Sequence, residues 1–159
     1  MADQKKKLAI IAVHGTLDMA YPPLILASTA ATLDIESAIF FTFYGLSILR
    51  KDIDTFLKVS PLGNPVMPMP MPIPTIAQAF PGMTAMATSM MKSMIKKHGV
   101  ASIKELIALC QETGVRMIAC QMTVDLFGYK KENLIDGLEY GGAAMFLEYA
   151  ADANIHLAF

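Results

Sequence analysis

Three short, nearly continuous apolar runs constrain this chain most: Leu8–Val13 (LAIIAV), Ser37–Phe43 (SAIFFTF) and Val115–Cys120 (VRMIAC). Each has strand length, and none shows the polar alternation of a sheet that faces water on one side. Runs of this kind belong to strands covered on both faces, as in a parallel sheet with helices above and below. The segments between them must then be the covering helices.

Those segments read accordingly. Pro22 and Pro23 suit the first turn of a helix, with Thr16–Ala20 before it as a loop or single turn and the helix ending near Leu33. Leu46–Ile53 is expected to form a short helical turn. Ser102 and Glu105 have capping-box spacing, Ile103, Leu106, Ile107 and Cys110 share one face, and Gly114 stops the helix. After Val115–Cys120 come a helical turn at Thr123–Phe127, another at Lys131–Ile135, and a short strand at Leu138–Tyr140. A helix over Gly142–Ala151 and a last strand at Ile155–Phe159 complete the chain. This alternation predicts a single α/β domain over residues 1–159, a three-layer sandwich around a mainly parallel five-stranded sheet. The expected strand order is the flavodoxin/Rossmann-like 2-1-3-4-5.

A stretch of different composition interrupts the pattern. Val59–Met91 holds no charged residue, yet contains seven of the nine prolines and seven of the thirteen methionines. Pro65–Pro74 (PVMPMPMPIP) suits neither helix nor central strand and reads as polyproline-like extended chain. Phe80–Lys97 reads as a helix with Met83, Met86, Met90 and Met94 along one side. Residues 59–97 are therefore an insertion. It either packs on its own domain or in an oligomer interface, or forms a lid or docking surface for a partner or a membrane.

Bulk properties narrow the function. The chain has 159 residues, is 54% hydrophobic and carries a formal net charge of −1, which gives no basic face for nucleic acid. No apolar stretch is long enough to span a bilayer, so the apolar excess belongs in a fully covered sheet, in subunit interfaces or on an exposed docking surface, and with a short-edged sheet a homo-oligomer is expected. Two cysteines without a readable signal peptide point to cytoplasmic thiols. His14, His98 and His156 are scattered without ligand spacing, so no metal and no cofactor is expected.

Cys120 and His14 are the candidates for chemistry. Cys120 ends its strand, and the carboxyl edge of an open α/β sheet is where ligands bind. Backbone N–H groups at the start of the following helical segment, with Thr123 as N-cap before Val124 and Asp125, would favour a thiolate there, while the negative charge of Asp125 works against it. A buried structural cysteine explains the local sequence equally well. Cys110 sits on the apolar face near the end of its helix, where a thiolate is disfavoured. It should lie too far from Cys120 for a disulfide. His14, Gly15 and Thr16 end the first strand and Tyr44 with Gly45 follow the second, forming opposite walls of the crevice. There His14 is a general acid/base, an anion ligand or a structural histidine. No dinucleotide or phosphate-loop fingerprint accompanies these residues.

GTLDMAYPPLILASTAA (15–31), FFTFYGL (40–46), VRMIACQMTVDLFGYKKENLIDGLEYGGAA (115–144) and the closing ANIHLAF together resemble the DsrE/DsrF/DrsH-like family. The resemblance is to its longer DsrE-type sulfurtransferase branch, sometimes labelled peroxiredoxin-like, and covers nearly the whole chain. It implies a small three-layer α/β fold and a sulfur carrier or sulfurtransferase that holds sulfur as a cysteine persulfide or thiosulfonate. It further implies exchange with a small TusA-like carrier protein. The reactive cysteine of the family maps onto Cys120, and Cys110 becomes a second acceptor. His14, Gly15, Thr16, Tyr44, Gly45, Gln121, Met122 and Thr123 would surround the sulfur adduct. The contrasting expectation is a non-catalytic adaptor that docks a partner or a membrane surface through residues 59–97.

Overall fold

Alternation within the apolar runs sorts their side chains onto two faces of one sheet. In the computed structural model, which describes residues 5–59 and 81–159, strand β1 is Lys7–Ala12, β2 is Glu36–Phe41 and β3 is Arg116–Cys120. Leu8, Ile10, Ala12, Ile39, Phe41, Met117 and Ala119 point to the larger core. Ala9, Ala38, Phe40, Ile118 and Cys120 point to a smaller one on the other side. Both faces are buried, which is why these strands are largely apolar after their charged first residues Lys7, Glu36 and Arg116.

Helix α1 (Leu17–Thr32) and helix α4 (Ile103–Glu112) cover the larger core, with the short α2 (Ile53–Phe56) beside them. Helix α5 (Gln121–Leu126) follows β3 directly and contributes Val124 to the same core. Strand β4 is Glu139–Gly141, helix α6 is Ala143–Ala151 and strand β5 is Ile155–Ala158. Among the described residues, only α6 packs on the smaller core, through Phe146, Tyr149 and Ala150, with Phe146 stacked on Phe40 at 5.1 Å between ring centroids.

Among the described residues, all five strands are parallel, and the order is β4-β3-β2-β1-β5. The α/β class and the parallel sheet agree with the sequence. The order differs from 2-1-3-4-5, because the chain reverses at a different crossover. Right-handed crossovers whose helices lie on one face step the sheet in one direction, so β1 to β4 run consecutively. The chain changes face only with α6, which carries β5 back to the open side of β1.

The start of helix α1 also differs from expectation. Helix α1 starts at Leu17, so Pro22 and Pro23 lie inside it and leave the carbonyls of Asp18 and Met19 without their usual amide partners. Burial of Leu17, Ala20, Leu24 and Ala27 holds the helix together across that gap. Helix α4 begins as expected. The Ser102 hydroxyl accepts from the Glu105 N–H at 3.3 Å, and the Ser102 N–H donates to the Glu105 carboxylate at 2.7 Å.

The polyproline reading of Pro65–Pro74 lies outside the described residues. Helix α3 (Met83–Lys97) is present, and Thr88 is its buried residue; the Thr88 hydroxyl accepts from the Val59 N–H at 3.1 Å. At 100° per residue, Met83, Met86, Met90 and Met94 lie on the side of the helix away from Thr88. Met86 is exposed.

Candidate functional site

Cys120 ends β3 and caps α5, so its sulfur sits where an extended strand turns at once into a helix. Parallel pairing of Phe41 with Ala119 brings the next residue of the neighbouring strand, Thr42, alongside it. The Thr123 hydroxyl accepts from the Phe43 N–H at 3.0 Å and lies 3.2 Å from the Thr42 hydroxyl. Phe43 has φ of +46°, a left-handed conformation that is costly for a bulky side chain. That conformation accompanies the N–H bond to Thr123. With its oxygen already accepting, the Thr123 hydroxyl keeps its proton for another partner.

Cys120 is only 4% exposed. Burial is the largest influence on its thiol and raises its pKa. Hydrogen bonds from the hydroxyls of Thr123 and Thr42 and from the N–H groups of Thr123 and Met122 act the other way and win, leaving the thiol below its ordinary value. The site thus stabilises a sulfur anion with neutral donors.

Cys110 is the opposite case. It is fully buried under α1, where its thiol donates to the Leu24 carbonyl at 3.4 Å. Burial pushes it up to about 11, and the Ser28 N–H offsets only part of that. Both cysteines are free, and they lie on opposite faces of the sheet. Their separation was expected from the two ends of a strand; the intervening sheet is the stronger barrier.

The remaining sequence candidates fall into two groups. Thr123 and the Met122 N–H join Cys120, while the Gln121 side chain turns aside to the Asp125 carboxylate at 2.8 Å. His14, Gly15, Thr16 and Tyr44 instead line a separate cleft of about 410 Å³ whose walls do not include Cys120. The two glycines serve packing. A Cβ on Gly15 would lie 2.0 Å from the Tyr44 carbonyl oxygen, and one on Gly45 would lie 2.1 Å from the Ala12 carbonyl oxygen. Thr42 is the residue that sequence reading missed. Aligning the ends of the second and third apolar runs as paired parallel strands would have placed it next to Cys120.

Among the described residues, no three His, Cys, Asp or Glu side chains gather as a metal site would require. Among the same residues, no helix is long and apolar enough to cross a membrane.

Residues 4–158 match the DsrE/DsrF/DrsH-like family. The chain is 58% identical over 158 residues to the sulfur carrier protein DsrE2 of Allochromatium vinosum, covering 97% of this chain and 98% of that one. It is 34% identical to YrkE, an uncharacterized protein of Bacillus subtilis, over 99% of both chains. Two solved structures share the fold: MTH1491 of Methanobacterium thermoautotrophicum, a protein of unknown function, and the ychN protein of E. coli. Their TM-scores are 0.55 and 0.51 at 11% and 14% identity, each covering 97% of this chain and 99% of the other. The family match over residues 4–158, together with a relative 58% identical across 97% of the chain, makes this protein a member of the DsrE/DsrF/DrsH-like family.

Proposed function

We propose that this protein is a sulfur carrier whose acceptor is Cys120. The observation that carries the reading is the ring of donors from Thr42, Met122 and Thr123, which lowers a thiol that burial alone would raise. The likeness to the sulfur carrier protein DsrE2 supports it. In the loading step the Cys120 thiolate attacks the terminal sulfur of a donor persulfide or polysulfide. The donor S–S bond breaks, its electron pair leaves on the departing thiolate, and Cys120 becomes a persulfide. In the second step an acceptor thiolate takes that terminal sulfur and releases the Cys120 thiolate, with no net oxidation. A small TusA-like carrier protein is the proposed exchange partner, docking where Met122 and Leu126 are exposed beside the cysteine.

Cys110 has no part in this scheme, being a protonated thiol sealed on the other face. The test is incubation with inorganic polysulfide followed by intact mass spectrometry. Wild type and Cys110→Ala should gain the mass of sulfur, and Cys120→Ser should not. An unchanged adduct in Cys120→Ser sinks the proposal.

A further inference from the structure

The cleft at the carboxyl end of the sheet is built for something other than the Cys120 sulfur. Four aromatic rings, Tyr44, Phe56, Phe127 and Tyr129, form its walls together with His14 and Thr16. Tyr44 and Phe127 stack with centroids 5.8 Å apart and planes 24° apart, and Tyr129 meets Phe127 edge-on at 6.3 Å. The Arg50 guanidinium lies 3.9 Å over the Phe56 ring and is paired with the Asp52 carboxylate at 2.6–2.7 Å, so it brings no free charge.

Thr16 adds a second, independent observation. It caps α1, yet its side chain makes no capping bond, and its hydroxyl oxygen is buried without a partner among the described residues. Buried hydroxyls are nearly always hydrogen-bonded. One that lines a cleft and lacks a partner calls for a ligand atom to supply it. The cleft volume of about 410 Å³ lies within the range of small-molecule sites.

We infer that this cleft is a binding site for a small planar aromatic molecule carrying a ring nitrogen or hydroxyl. The ring packs against Tyr44 and Phe127, and the polar atom reaches the Thr16 hydroxyl. The site is separate from the sulfur-carrying cysteine and does not depend on that reading.

Indole is the probe, titrated into the full chain and followed by backbone amide NMR, with cyclohexanol as a non-aromatic control of similar polarity. Saturable shifts should appear at Thr16, Tyr44 and Phe127, equally in wild type and Cys120→Ser. The Cys110 amide should not move. Cyclohexanol should bind about tenfold more weakly, the factor expected for losing one aromatic contact. Thr16→Val should weaken indole binding while Thr16→Ser retains it. Should Thr16→Val fail to fold, Tyr44→Ala at an exposed position replaces it, with an expected loss of about tenfold. Shifts that are scattered or do not saturate, cyclohexanol matching indole, or Tyr44→Ala binding as wild type would each overturn the assignment.

Discussion

The hydroxyls of Thr42 and Thr123 meet at 3.2 Å across 81 residues of sequence, and together they face the sulfur of Cys120. Thr123→Val keeps the shape of the side chain and removes its hydroxyl. The thiol should then titrate at higher pH, and alkylation of Cys120 by iodoacetamide near neutral pH should slow by roughly tenfold, as losing one hydrogen bond to a charged group implies. The rate should recover as pH rises and the thiolate forms unaided. A profile superimposing on wild type would remove Thr123 from the site.

Cys110 makes stability fall at alkaline pH. Its folded thiol titrates at about 11 against an ordinary 9.0, so only the unfolded chain loses this proton between those values. The contribution is full below pH 9 and disappears as pH rises towards 11, on the order of 2–3 kcal/mol in total. Urea unfolding of wild type against Cys110→Ala across that range should show the extra slope in wild type alone. Parallel slopes would mean that the thiol is not sealed as described.

Gly45 packs its Cα against the Ala12 carbonyl, and its N–H donates to the Val13 carbonyl at 2.7 Å. Gly45→Ala forces a methyl into backbone that cannot give way. It should lower stability by more than about 3 kcal/mol in chemical denaturation. A cost under about 1 kcal/mol would show that the turn after β2 can shift.

Asp34 follows α1 with φ of +56°, and the next N–H, on Ile35, donates back to the Ala30 carbonyl at 3.0 Å. This left-handed closure suits glycine. Asp34→Gly should raise stability by about 1 kcal/mol, read as a higher urea midpoint with unchanged m-value. A lower midpoint would mean that the Asp34 side chain contributes more than the backbone strain costs.

Much of the fold was legible because short-range physics encodes it. Leu8–Val13 and Val115–Cys120 announce strands by continuous apolarity, and Ser102 with Glu105 announces a helix start by local hydrogen bonding. Pro22 and Pro23 misled for the complementary reason. Their local preference for a first turn is overridden by the burial of Leu17 and Ala20 against the sheet. Cys120 was readable as a strand-end thiol, whereas Thr42 was not, because its partnership depends on which strands are neighbours.

The sequence by itself determined the parallel α/β class, the place of Cys120 at a strand end and the family, since all three reside in local pattern and motif. Only the tertiary structure decided the strand order, because composition does not mark the crossover at which the chain changes face. The same decision set Cys110 and Cys120 on opposite sides of the sheet and brought Thr42 to the sulfur. It also gave His14, Thr16 and Tyr44 a cleft of their own. Each depends on contacts between residues far apart in the chain, which no local window contains.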